Sequence, residues 1–379
     1  MREAFITHHN VISSLGFSSK ENFDHLKNEE SGIQKFQRDN GGVYHSSQVD
    51  KELLNKEFAK IGDITLYTTL EKMMLLSMHV ILKESNLKIT QRTGLIIATT
   101  KGNVDVLSPK SSFYKDKNRA YLPELGKQIQ HFFHIRNEAI VLSNACVSGI
   151  LAVAVAQRLV KEGMYDDVII VSGDLVSEFI LSGFTSFQAI SDEPCKPFSI
   201  NRKGITLGEA VASVIVSLEK SKDAVQVIGA GSCNDANHIS GPSRTGEGLF
   251  LSVQSALKEA NVKSEDIDYV SAHGTATNYN DEMESMAFGR LNMLHTPINS
   301  LKGYYGHTLG ASGLLETIMG IESLKNSTLI ASKGFDELGV SQPINVIEKT
   351  ETRELQVFLK TASGFGGCNT AVIFRNIAD

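Results

Sequence analysis

The stretch that decides the fold is residues 139–152, AIVLSNACVSGILA. An apolar run ends at Leu142, small and polar residues surround Cys146, and a second apolar run follows. This pattern predicts a short strand entering a helix, with Cys146 at the junction. Buried free cysteines are common core residues, so Cys146 alone reads either as a small core side chain or as a nucleophile. The second reading has a physical warrant. A helix start offers unpaired N–H groups and a partial positive charge. Both favour a thiolate, lowering the thiol pKa from ~8.5 to below about 7.5 in known cases, and the same N–H groups can hold an oxyanion. Ser148 and Gly149 let the helix begin tightly and let a substrate approach the backbone.

Outward from this junction, short β-rich runs alternate with longer helical ones, which predicts a layered α/β fold. Strands are expected over 93–100, 139–144, 167–173, 210–218, 267–274, 297–302 and 370–376. Helices are expected over 65–85, 148–163, 248–261 and 310–324. One layout occurs twice. Residues 139–163 run from a strand through Cys146 into a helix rich in small residues, and PINSLKGYYGHTLGASGLLETIMGI runs from Pro297 through His307 into another. Both helices are apolar nearly all round at their starts, so both should be buried. A duplicated chain would bring their N-termini together across a pseudo-dyad.

The bulk composition narrows the classes. The chain has 379 residues, 41% hydrophobic and 21% charged, as in an ordinary globular protein. No apolar run approaches the ~20 residues of a membrane helix, and no secretory signal is expected at the start. The four cysteines form no CxxC pair, which argues against a zinc site and a disulfide framework and for a reducing cytoplasm. The net charge of −6 does not favour nucleic acid. The basic runs Lys110–Arg119 and Lys56–Lys60 read first as solvated faces.

Three further motifs can carry chemistry. In SAHGTATNYND, His273 ends a predicted strand before a Gly/Thr-rich loop, a place that suits a functional group and equally a histidine bonded to nearby backbone. In NSLKGYYGHTLGASG, Lys302 and His307 lead into a helix that carries Glu316. Lys302 and Glu316 are either a shielded pair or ordinary surface charges. In TASGFGGCN, Gly364, Gly366 and Gly367 surround Phe365, which gives a mobile loop or a plain turn before the last strand.

Together, NACVSG, AHGTATNYNDEME, KGYYGHTLGASGLLE and GFGGCN, with a weaker block PFSINRKGITLGEA, resemble the β-ketoacyl-[acyl carrier protein] synthases of the elongating (KAS I/II) type. The resemblance covers about the last two thirds of the chain. It implies the thiolase fold, in which two duplicated α/β halves, here 1–220 and 221–379, form a five-layered αβαβα sandwich. It implies decarboxylative Claisen condensation of a cysteine-bound acyl chain with a malonyl carrier protein, in fatty acid or specialised polyene or polyketide assembly. Cys146 is then the acyl acceptor. His273 and His307 bind the malonyl thioester carbonyl, and Lys302 with Glu316 organises the site. Phe365, between Gly364 and Gly366, is the gate, and its N–H forms an oxyanion hole with that of Cys146. Asp281 and Glu284 support His273. No metal or other cofactor is implied beyond the carrier's phosphopantetheine arm. Implied partners are an acidic carrier protein, met by Lys56, Lys60, Arg202 and Lys203, and a second copy or a related subunit. Neither nucleic acid nor membrane insertion is implied.

Departures qualify the match. Lys101 stands in a loop that is usually richer in glycine, Ser199 replaces a frequent acid, and Ser363 stands where a bulky aromatic often precedes the gate. The segment before Cys146 is short. These departures point to a reshaped acyl pocket. Two other readings remain: a non-catalytic, chain-length-setting subunit of a heterodimeric synthase, which should lack the cysteine and often a histidine, and a thiolase-like or hydrolytic cysteine acyltransferase.

Overall fold

The computed structural model describes residues 2–38, 41–235 and 241–377. One eleven-stranded sheet runs Ile140–Leu142, Thr93–Ala98, Asp167–Asp174, Ala210–Ser217, Phe5–Ser13, Val225–Asn234, Cys368–Asn376, Val357–Gly364, Tyr269–Ser271, Pro297–Asn299 and Asn345–Val346. At its middle, Phe5–Ser13 and Val225–Asn234 pair only through Phe5 with Gln226 and Ile6 with Val225. This short seam divides two sheets of identical path. Outward from the seam, each runs first, fifth, fourth, second, third in chain order, with Asn345–Val346 added at one edge. In both, the two pairings nearest the seam strand are antiparallel and the next two parallel. The duplication expected from the Cys146 and His307 units is thus written in the strand order.

Of the four hydrophobic clusters among the described residues, three fill the layers. One lies between the two sheets around the helices Ser148–Lys161 and Ser312–Lys325. A second packs the helices Glu247–Ala260 and Asn278–Arg290 on one outer face, and a third packs Thr69–Ser85 and Leu122–Phe132 on the other. The result is the αβαβα sandwich. The two central helices are buried because both flanks meet a sheet, which is why neither shows a clean polar stripe.

The central helices touch at their N-termini. A Cβ on Gly149 would sit 2.7 Å from Gly310 O, and one on Gly313 would sit 2.7 Å from Ile150 N. Backbone on both sides leaves no room for a side chain. Gly313→Ala is therefore expected to destabilise the protein by about 1–3 kcal/mol through overpacking. A urea midpoint equal to that of the parent would contradict this close approach.

Some boundaries differ from the sequence reading. The strand before Cys146 covers only Ile140–Leu142, because Asn144 N is taken by Ser148 Oγ and the chain turns at once. Lys302 does not end a strand. It opens the helical turn Lys302–Tyr305. The first long helix begins at Thr69 rather than Thr65, capped by Thr68 in a reciprocal box with Glu71.

Candidate active site

Cys146 lies between strand Ile140–Leu142 and helix Ser148–Lys161, just after Ala145, whose φ of +45° is left-handed. That conformation is uncommon for a residue with a side chain and stores strain of about 1–3 kcal/mol. Ser148 holds the turn, accepting from Asn144 N at 2.8 Å and donating to Ala145 O at 2.7 Å. The thiol is left at the helix mouth, 7% exposed.

The second half delivers the histidines. His273 follows strand Tyr269–Ser271, and His307 follows the turn after Pro297–Asn299. The two strands are neighbours in the sheet, and the two rings meet edge to face with centroids 5.2 Å apart. The Cys146 sulfur and a ring nitrogen of each histidine all lie within 4.8 Å of one another. In His307, Nδ1 accepts from Leu309 N at 3.1 Å, which places the proton on Nε2. In His273, Nδ1 faces Lys302 Nζ at 3.4 Å, which favours the same tautomer. Burial, then the Lys302 charge, holds both imidazoles well below their ordinary range, with Lys360 adding to this. Two neutral rings thus sit beside Cys146 with Nε2–H as their available donor.

Behind them lies an ionic network. Lys302 Nζ donates to His273 O at 2.5 Å and to Glu316 Oε1 at 2.8 Å, with both side chains almost fully buried. Glu284 accepts the N–H groups of His273 and Gly274 at 2.8 and 2.6 Å. Asp281 accepts those of Thr275 and Phe198 at 2.9 and 2.8 Å. These two carboxylates on helix Asn278–Arg290 fix the loop that carries His273. Burial, then the neighbouring Asp281, pushes the Glu284 carboxyl up to about 7.

The glycine-rich hairpin joins strands Val357–Gly364 and Cys368–Asn376. A Cβ on Gly364 would stand 2.9 Å from Cys368 Sγ and 3.1 Å from Cys146 N, so glycine eases the hairpin's close approach to the nucleophile's backbone. Gly366 has a φ of +89° and turns the chain. The Phe365 N–H is near enough to the Cys146 sulfur to favour its charged form slightly. Its half-exposed ring stacks on Phe184 at 5.7 Å and meets Phe187 edge-on at 5.4 Å. Cys146, His273, His307, Gly364 and Phe365 line one cavity of about 310 Å³, with Ser363 and the two other phenylalanines in its wall.

The thiolate expectation needs correction. Burial pushes the Cys146 thiol up to about 12, and Cys368 adds to the rise. Lys302 and the Phe365 N–H act the other way and do not outweigh it. The resting group is a thiol, so site-resolved alkylation of Cys146 by iodoacetamide should quicken about tenfold per pH unit from 7 to 10, following the thiolate fraction. A plateau near pH 8 would contradict this.

The basic residues expected at the entrance separate. Lys203 lines the cavity and pairs with Glu193 at 2.7 Å. Arg202 is turned inward onto the carbonyls of Ser199 and Gly339 at 2.9 and 2.6 Å, which leaves that guanidinium edge occupied by backbone. Lys56 and Lys60, on and just beyond helix Lys51–Phe58, are exposed and do not line the cavity. Ser199, in place of an acid, bonds to Asp336, which returns a carboxylate to that corner. Sequence reasoning missed Lys360, fully buried with Nζ 2.6 Å from Glu316 Oε2, and the phenylalanines Phe184 and Phe187.

Comparison with known proteins agrees with this geometry. The "Beta-ketoacyl synthase, N-terminal domain" model matches residues 6–224, and the "Beta-ketoacyl synthase, C-terminal domain" model matches residues 224–336. The chain is 34% identical over 267 residues to 3-oxoacyl-[acyl-carrier-protein] synthase 2 of Rhizobium meliloti, covering 65% of this chain and 62% of that protein. It is 27% identical over 388 residues to a 3-oxoacyl-[acyl-carrier-protein] synthase homolog of Saccharomyces cerevisiae, covering 93% and 84%. A structure of the ketosynthase ApeO in complex with its chain length factor ApeC from Xenorhabdus doucetiae superposes with a TM-score of 0.89 at 23% identity, covering 99% and 98%. With a cysteine at a helix mouth, two histidines facing it and both family models matched in order, the chain belongs to the β-ketoacyl synthase family.

Proposed function

We propose that the chain condenses a Cys146-bound acyl group with a malonyl unit on an acyl carrier protein, releasing CO₂ and leaving a 3-oxoacyl thioester two carbons longer. The observation that carries this reading is the pair of neutral, Nε2-protonated histidines within 4.8 Å of the cysteine. First, the Cys146 sulfur attacks the acyl thioester. Its proton leaves with the departing phosphopantetheine thiol, so the exchange is proton-neutral. The N–H groups of Cys146 and Phe365 stabilise the oxyanion. Next, the malonyl thioester oxygen sits on the two histidine N–H donors. The C–C bond to the carboxylate breaks, CO₂ departs, and the electron pair forms an enolate held by those donors. The enolate carbon then attacks the Cys146 thioester and expels the sulfur, which takes up one proton from solvent to restore the thiol.

Neutral rings matter here, because an imidazolium would hand its proton to the carbanion. Lys302 and Glu316 orient His273, and Asp281 and Glu284 hold its loop. This chemistry calls for no metal or redox cofactor. The hydroxyls of Thr275 and Thr277, 2.9 Å apart in the cavity wall, suit the amide-bearing phosphopantetheine arm. Lys203, which lines the cavity, would meet an acidic carrier at the entrance. Residues 1–220 would supply the nucleophile, and 221–379 the histidines and the gate. No helix among the described residues is long and apolar enough to cross a membrane. A cytoplasmic home fits the four free thiols.

A heterodimer with a related subunit is a second reading of the assembly, prompted by ketosynthases solved with chain length factors. Mixing the purified chain with acyl- and malonyl-loaded carrier protein tests both readings. The expected result is one CO₂ per 3-oxoacyl product. Product that forms only after a related chain is added would assign activity to the heterodimer, and none under either condition would refute the reaction.

A further inference from the structure

Lys360 lies mid-strand in Val357–Gly364 at 0% exposure, flanked by the buried Phe358, Leu359 and Ala362. Its ammonium donates hydrogen bonds to two carbonyls and forms an ion pair with Glu316. Glu316 Oε2 is 2.6 Å away, and the carbonyls of Ser271 and Ala272, just ahead of His273, are each at 3.1 Å. The other oxygen of Glu316 holds Lys302 at 2.8 Å. One carboxylate is therefore shared by two buried ammoniums. Burying an unneeded charge is costly, and an apolar residue would continue the surrounding packing.

The charged and titratable neighbours come from every side. Glu316 comes from helix Ser312–Lys325, Lys302 from the turn that opens there, and Asp281 and Glu284 from helix Asn278–Arg290. His273 and His307 come from the strand ends, and Cys146 from the mouth of helix Ser148–Lys161. Asp281 and Glu284 spend their oxygens on backbone N–H groups and Asn280. The triad of Lys302, Glu316 and Lys360 carries a net positive charge beside the two rings.

We propose that Lys360 is a positioning residue for the malonyl step. By occupying the second oxygen of Glu316 and the two carbonyls before His273, it keeps a positive charge behind the histidine donors, which stabilises the enolate as CO₂ leaves. This rests on the condensing reading of the site. Acylation of Cys146 draws on the hairpin and helix N–H groups instead, so the two half-reactions should separate.

The test compares Lys360→Gln, Lys360→Met and Lys360→Arg with the parent. Loading of Cys146 from an acyl carrier protein is read by intact mass, and decarboxylation of malonyl carrier protein by CO₂ release across pH 5–9. The expected result for Gln and Met is loading within about threefold of the parent, decarboxylation lower by about ten- to a hundredfold, and an acid limb raised by about one pH unit. Arg, which keeps the charge, should recover most of the loss. Equal falls in loading and decarboxylation with an unmoved pH profile would mean a merely structural role and overturn the proposal. Ring-proton NMR of the unaltered protein is an independent check: protonation of His273 or His307 above about pH 6 overturns it whatever the variants do. A parent that never releases CO₂ would sink the condensing reading itself, whereas an active parent matched by Lys360→Gln sinks only this inference.

Discussion

Cys146→Ala is expected to lose condensation by at least about ten-thousandfold while still releasing CO₂ from a malonyl carrier protein. The magnitude follows from removing a covalent nucleophile, whose loss in a comparable acyl-transfer enzyme costs up to ~10⁶ in kcat. The split follows from the geometry. The acyl chain is held on the Cys146 sulfur, whereas the malonyl carbonyl is held by the Nε2–H groups of His273 and His307. Those groups owe their tautomer to Leu309 N and Lys302 Nζ, which the substitution does not touch. Alanine also preserves the left-handed turn at Ala145 and the Ser148 bonds that shape the helix mouth. Assaying both half-reactions on one preparation checks this. Condensation that survives in the variant would remove Cys146 from the mechanism.

Glu316→Gln is expected to lower stability by about 3–5 kcal/mol, the usual cost of leaving a buried charge without its partner. Here the partners are two, because Lys302 and Lys360 flank the same carboxylate and are both almost fully buried. A glutamine fills the space and cancels the negative charge, leaving two like charges to repel. The sign of the pH dependence follows. Burial already lowers the Lys360 ammonium below its ordinary range, and losing Glu316 removes a contribution that raises it. In the variant, the folded state therefore gives up a proton more readily than the unfolded chain, and the deficit narrows as pH rises towards 10. Urea denaturation at pH 7 and pH 9.5 measures both effects. A midpoint equal to the parent at pH 7 would show that the carboxylate is not balancing the lysines.

Much of the site was legible in the sequence because it sits where strands end and helices begin. Cys146, His273, Lys302, His307 and the Gly364–Gly367 hairpin all fall at such junctions, where turn residues mark the chain. What was hidden is physical in origin. Strand Val357–Gly364 did not read as a strand because Lys360 breaks its apolar run, and only the fold shows that Glu316 neutralises it. Strand Val225–Asn234 carries Gly229 and Gly231, which look like turn residues. In the structure, a Cβ at either would collide with the backbone of helix Glu247–Ala260, at 2.3 Å from Ala256 O and 2.0 Å from Ser252 O, so both serve close packing. Helix Asn278–Arg290 lacked an apolar stripe because Asp281, Glu284 and Ser285 are on its buried face and Asp281 and Glu284 hold the His273 loop. The Cys146 thiol was misjudged because the helix-terminus effect could be read from sequence and the depth of burial could not.

The most direct test of the central claim is the mass of Cys146 itself through one catalytic cycle. On incubation with an acyl carrier protein, the peptide containing Cys146 should gain the mass of one acyl group. On addition of malonyl carrier protein, that mass should vanish as one CO₂ and one 3-oxoacyl chain two carbons longer appear. An adduct on Cys195, Cys233 or Cys368, or an adduct on Cys146 that is lost to free acid without CO₂, would contradict the account.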